Sequence, residues 1–310
     1  MRRITGNRSI TLILLVCLFG MLATLFYINI INCEARMLDF DSVTIMGTAK
    51  EMYLQRSVFL SNWSYQSTML IDSPEPLVAL LYAFTHNVLL AQGLANCILI
   101  AVFVALVYVV CKKSGMSIHS RIIVCILFLL PWGAEYLGYQ YCMLTDTACY
   151  LVRGILQLTV ILGYQLFNES NNKKNLFYLV IISIAMCLST ISSGLHSYIV
   201  ACLPILLSEI LLVLRSEEFK LGNDKGQIRI FLYFGVLTVA MMAGLVIKKL
   251  LGYDASGGQV FIPISEFFDN IKNMLLAAMY LLHILPGDEI DIISLTGVKF
   301  FVRLAIFVLL

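Results

Sequence analysis

Charge is what this sequence has least of. Only 13% of its 310 residues are Asp, Glu, Lys or Arg, against a hydrophobic share of 60% and a mean hydropathy of +0.90. Soluble domains are about 25% charged and about 45–50% apolar, and a chain this apolar could not cover its own core with polar surface in water. That excludes a soluble domain of any size and leaves lipid as the solvent. No C-x-x-C pair occurs among the nine cysteines, and no Cys/His spacing suggests zinc. The cysteines read as small apolar packing residues. There is no repeat of about 20–50 residues and no low-complexity tract. The net charge of +2 says nothing by itself about partners, among which membrane lipid and no nucleic acid are expected.

The N-terminus lacks a small-residue cleavage site. Arg2, Arg3 and Arg8 precede an apolar run from Ile10 to Ile31. A signal-peptide core is about 7–15 residues; this run is about 22, enough for about 30 Å of hydrocarbon. It reads as an uncleaved first span.

Apolar runs then recur, giving an all-α polytopic membrane protein of about eight spans: 10–31, 89–111, 122–136, 144–167, 176–191, 198–214, 230–246 and 292–310. Leu77–Phe84 is too short to cross and reads as an interfacial helix before the second span. Lys and Arg collect in alternate connections (Lys112, Lys113, Arg121; Lys173, Lys174; Arg215, Lys220, Lys225, Arg229), whereas Asp39, Asp41, Asp72, Glu75, Asp146 and most other acids fall in the remaining ones. The positive-inside bias therefore places the N-terminus in the cytoplasm and the acidic loops outside.

Two outer loops are long, 32–76 and 252–291. The first has Ile45, Ala49, Met52 and Tyr53 on one helical face, and the second carries an apolar stripe over Ser265–Leu285; both read as surface helices. The chain ends at Leu310 inside an apolar run, as expected of a piece of a longer protein.

An ionisable group within a span costs roughly 2.5–3.5 kcal/mol on insertion scales, so each one calls for a reason. Asp146 suits either a helix N-cap or a carboxylate over an outward cavity. Arg153, seven residues on, lies on nearly the same face about 10 Å deeper, with Glu209 of the sixth span as a partner. Lys248 and Lys249 end the seventh span on the outer side, suited to headgroups or to a lipid-linked phosphate. Trp63 and the outer tyrosines fit an interfacial belt or a platform for sugar rings.

The order of these features resembles the GT-C superfamily of membrane glycosyltransferases, in its protein O-mannosyltransferase and lipid A aminoarabinose transferase branch. The resemblance runs over one span, Asp39/Asp41, the amphipathic stretch, Ser73-Pro74-Glu75-Pro76, Leu144-Thr145-Asp146-Thr147, Gly194-Leu195-His196 leading to Leu203-Pro204, and the outer helix after the seventh span. It implies transfer of a sugar from a polyprenyl-phosphate donor to an acceptor hydroxyl on a glycan, lipid or protein, at the outer face of the plasma (inner) membrane. It implies Asp41, or else Asp39, as the carboxylate that takes the acceptor proton, and Asp146 as a residue orienting the acceptor or a divalent cation such as Mg or Mn. Lys248, Lys249 and Arg153 are implied for the leaving phosphate, and Glu75, His196 and Trp63 as further substrate contacts. Branch members commonly carry Lys in the proline segment; Glu75 stands here instead, which moves the phosphate contact to Lys248, Lys249 or Arg56. A transporter or flippase, or a polymerase, for lipid-linked saccharides is the rival reading; the deep charges Arg153 and Glu209 suit the transporter.

Overall fold

A computed structural model describes residues 8–31, 40–61, 63, 71–130, 143–145, 148–169, 173–215, 225–252, 264–266 and 268–274. They form helices, turns and bends, with no strand among them. The chain divides into two compact units, Met1–Ser256 and Gly257–Leu310.

The first unit holds α1 (Arg8–Phe26), which continues as a π-turn over Tyr27–Ile31, then α2 (Phe40–Gln55), α3 (Glu75–Thr85), α4 (Val88–Lys113), α5 (Ile118–Leu129), α6 (Leu151–Glu169), α7 (Lys173–Ser193), α8 (His196–Ala201), α9 (Leu203–Arg215) and α10 (Lys225–Leu251). Among the described residues, four helices are long and apolar enough to cross a membrane: Arg8–Ile31, Val88–Lys113, Asn175–Ser193 and Ile228–Leu251. Shorter apolar helices occupy the third, fourth and sixth expected spans, and α3 the expected interfacial segment. Residues 292–310 lie outside the described residues, so the eighth expected span does too. The arrangement is that of an α-helical membrane protein.

Local chemistry sets the boundaries. Asn87 caps α4 by accepting from Leu90 N at 3.1 Å, and Ser117 caps α5 by accepting from Ser120 N at 3.2 Å. Lys112 and Lys113 close α4, complementing its dipole. The expected sixth span runs as two helices meeting at Cys202, which keeps helical backbone; Pro204, in the first turn of α9, lacks the amide that would donate to Val200 O. The fourth expected span begins later than its apolar run, at Leu151.

Among the described residues, the two larger apolar clusters hold most of the helices together. Phe103 and Val107 of α4, Cys125 and Leu129 of α5, and Leu25 of α1 form one. Val160 of α6, Ile182 and Met186 of α7, and Tyr233 and Phe234 of α10 form the other, where the Tyr233 hydroxyl donates to Val160 O at 2.9 Å. Glycine lets backbones approach: a Cβ on Gly244 of α10 would lie 2.7 Å from Cys187 O of α7. The outward face of α1 remains apolar and bare, with Leu12, Val16 and Phe19 all exposed, as a lipid-facing helix requires.

The amphipathic reading of α2 holds for Ile45, Ala49 and Met52, which are buried, but not for Tyr53. Tyr53 is exposed and meets Tyr82 of α3 edge-on at 5.2 Å between ring centroids. In the second unit, Ile264–Glu266 forms a 3-10 turn and 268–274 a helix with Phe268 and Met274 exposed. The remainder of the expected 265–285 helix lies outside the described residues.

Candidate functional site

The start of α6, the end of α7, the start of α8 and the turn before α3 meet at one end of the helices. Gly194, at φ +66°, ends α7 in the left-handed conformation that glycine adopts without a Cβ penalty. Its amide donates to Thr190 O at 2.9 Å, and α8 starts two residues later. The corner aligns three buried hydroxyls, Ser189 and Ser193 on α7 and Ser197 on α8.

Asp72 fits into this corner. Ser193 Oγ lies 2.8 Å from Asp72 Oδ1 and 2.6 Å from Oδ2, and Ser189 Oγ donates to Oδ2 at 2.8 Å. The single Ser189 hydrogen is used there, so the neighbouring Ser197 hydroxyl must be the donor to Ser189. The turn itself is tied down by Ile71 N donating to Ser192 Oγ at 3.1 Å. Arg153, in the first turn of α6, donates from Nε to Asp72 Oδ2 at 3.3 Å and from Nη2 to Ser193 Oγ at 2.9 Å. Its guanidinium carbon sits 5.6 Å from the Tyr150 ring centroid. Both side chains of the ion pair are largely buried, at 14% exposure for Arg153 and 5% for Asp72.

This corrects the expected pairing. Arg153 meets Asp72, not Glu209, because α6 begins only at Leu151 and leaves Arg153 at a helix end. Glu209 of α9 instead accepts from the Tyr164 hydroxyl.

Glu75 opens α3 directly after this turn, between Pro74 and Pro76, which suit a helix start. It is wholly buried. Ser73 Oγ donates to its Oε2, and its Oε1 has no hydrogen-bond partner among the described residues. Burial pushes its carboxyl up to about 8, overcoming the opposing effects of the Ser73 bond and the Arg153 charge.

No protein-family profile, no curated protein and no solved structure matches this chain. The site is therefore read from its own residues.

Of the other expected site residues, Lys248 approaches the end of α7. It is half-buried, and a Cβ on Gly194 would lie 3.9 Å from its Nζ. Lys249 is exposed near the end of α10, His196 is exposed at the start of α8, and Arg56 is exposed just after α2. Asp41 is exposed in the first turn of α2. Trp63 packs against Met52, Leu60 and Ile191. Asp39 and Asp146 lie outside the described residues, as therefore does the expected convergence of Asp41 with Asp146. The suggested Mg or Mn site depended on Asp146; among the described residues no three His, Cys, Asp or Glu side chains gather as a metal would need.

The chain just before Asp146 is nonetheless fixed. Asn29 Nδ2, in the π-turn after α1, donates to Leu25 O and Leu144 O, both at 3.0 Å. Asn96 Nδ2 of α4 donates to Asn29 Oδ1 at 3.0 Å and also to Thr145 O. α4 approaches that turn so closely that a Cβ on Gly93 would lie 1.8 Å from Asn29 O.

Sequence reasoning missed Asp72 and the serines as site residues. Two signals were present: an acid immediately before Ser73-Pro74, and hydroxyls at 189, 193 and 197 with the spacing of one helical face.

Proposed function

We propose that this chain is a membrane glycosyltransferase with a GT-C-like all-α fold of about eight spans. It would transfer a sugar from a polyprenyl-phosphate donor to an acceptor hydroxyl at the outer face of the plasma membrane, with a cytoplasmic N-terminus. The observation that carries the reading is the cationic corner at Arg153. Arg153 pairs with Asp72, Lys248 Nζ stands near Gly194 at the end of α7, and Glu75, the other carboxyl described at this turn, is wholly buried, its carboxyl pushed up to about 8. Arg153 Nη1 donates to no protein atom among the described residues, leaving donors for a phosphate oxygen.

In the proposed reaction the acceptor oxygen bonds to the anomeric carbon as the bond from that carbon to the phosphate oxygen breaks. The electron pair leaves on the polyprenyl phosphate, where Arg153, Lys248 and Lys249 neutralise the developing charge. The acceptor proton passes to a carboxylate, assigned to Asp41, which is exposed in the first turn of α2. The charges gather at helix ends, which favours chemistry at a membrane face over transport through the midplane.

The test is transfer of labelled sugar from a polyprenyl-phosphate donor by the full-length protein in lipid nanodiscs. Wild type should transfer and Asp41→Asn should not. Full activity in Asp41→Asn removes the base assignment, and failure of the wild type across donors and acceptors removes the reading.

The interrupted α8–α9 helix and the Tyr164–Glu209 pair favour one second reading, a transporter or flippase for lipid-linked saccharides. It predicts transbilayer movement of the donor in liposomes that is lost in Glu209→Gln, with no sugar transferred.

A further inference from the structure

Among the described residues, no carboxyl is shut away from solvent more completely than Glu75. It follows Asp72 by three positions at the turn into α3, and both the Asp72 and the Arg153 charges act on it. A buried carboxyl satisfied on one oxygen only is a costly feature. An apolar side chain of similar size would pack at that position without the penalty.

Among the described residues, the charged and titratable groups around it are few. The turn before α3 supplies Asp72, and α6 supplies Arg153. On α2, Asp41 and Lys50 are exposed, and Glu51 accepts from Gln55 Nε2 at 2.9 Å. α4 carries its charges, Lys112 and Lys113, at its far end. On α3 itself, Tyr82 and His86 lie beyond the middle of the helix, where Tyr82 meets Tyr53. The charge state of Glu75 is thus coupled chiefly to the Asp72–Arg153 pair.

We propose that Glu75 is a proton-operated gate on the anion site at Arg153, closed by its own ionisation. With its proton, Glu75 leaves Arg153 facing one carboxylate and able to turn its remaining donors to a phosphodiester. Without it, a second carboxylate appears beside the pair and competes with the phosphodiester for the guanidinium. Asp72 can release Arg153 to a ligand without being stranded, because Ser189 and Ser193 continue to donate to it. Linkage makes the effect reciprocal: an anion at Arg153 cancels the charge that favours the Glu75 carboxylate, so the bound state holds the proton more tightly. The inference rests on the anion site of the proposed function.

The test is binding of methyl farnesyl phosphate, a phosphodiester whose single charge is constant over the range used, to the full-length protein in neutral-lipid nanodiscs. Affinity should fall about tenfold between roughly pH 7 and roughly pH 9.5, a window below lysine titration. Glu75→Gln should bind at the neutral-pH strength throughout. A flat wild-type profile, or an undiminished slope in Glu75→Gln, overturns the gate while leaving the anion site standing. No binding by the wild type at either pH overturns the anion site and the gate with it. Should Glu75→Gln fail to fold, the wild type alone decides by infrared spectroscopy. Its protonated-carboxyl absorption must decline through about pH 8 without the probe and persist to higher pH with it; an unchanged titration overturns the gate.

Discussion

Arg153 Nε lies 3.3 Å from Asp72 Oδ2, a pairing between positions 81 residues apart that joins the first turn of α6 to the turn before α3. Ser193 bridges the two, accepting from the arginine and donating to the aspartate. Removing Asp72 leaves the Arg153 charge unpaired in a largely buried place, and removing Arg153 leaves the Asp72 charge held by serine hydroxyls alone. Arg153→Met should therefore destabilise the protein by about 3 kcal/mol, and Asp72→Asn combined with Arg153→Met by less than the sum of the single changes. Thermal unfolding in detergent checks this, and strict additivity would refute the coupling.

Glu75 should make stability depend on pH with a definite sign. Its folded-state value, about 8, lies above the ordinary 4.5, so its favourable contribution is complete below about 4.5 and is lost as pH rises through about 8. Glu75→Gln removes the titrating group. The variant should gain on wild type over that window, by an amount on the order of a few kcal/mol at its upper end. Unfolding midpoints of both proteins at several pH values measure the gap, and a constant gap contradicts the assignment.

Gly93 and Gly235 make a matched contrast within two long helices. A Cβ at Gly93 would strike the backbone oxygen of Asn29, which cannot yield without moving the π-turn, whereas a Cβ at Gly235 meets nothing within 4 Å. Gly93→Ala should cost about 1–3 kcal/mol, and Gly235→Ala should be neutral or mildly stabilising, since helical glycine is itself unfavourable. Equal effects at the two positions would refute the close approach of α4 to that turn.

Tyr164→Phe removes the hydroxyl that Glu209 accepts, leaving a half-buried carboxylate without that donor. A loss of about 1–3 kcal/mol is expected. Glu209→Gln should cost less, because its amide still accepts the tyrosine hydrogen. The reverse order would show that the pair is not the source of the stability.

Lys50 and Lys112 test the orientation. Both are exposed, one on α2 and the other at the end of α4. In single-cysteine backgrounds, an impermeant maleimide applied to intact cells should label Lys50→Cys and spare Lys112→Cys. The opposite pattern would invert the proposed topology.

The chain's membrane character and its helices were legible in the sequence, because apolar runs and caps are local properties. The run 89–111 is α4 almost to the residue, and the spacing of Ile45, Ala49 and Met52 located the buried face of α2. The run 144–167 misplaced the start of α6, since a continuous apolar stretch carries no mark of where helix begins. That error displaced Arg153 in depth and so assigned it the wrong partner.

What the sequence determined by itself is the solvent and the local order: 60% apolar residues require lipid, and Gly194, Pro204 and the caps punctuate the helices. What the tertiary structure alone decided is which charges meet. The Asp72–Arg153 pair, the serines that receive it and the buried state of Glu75 depend on how the turn before α3 returns to the α7–α8 corner. Hydropathy and helical periodicity reach over a few turns of chain; a contact across 81 residues is fixed by packing, which selects the one return path that leaves each buried charge a partner.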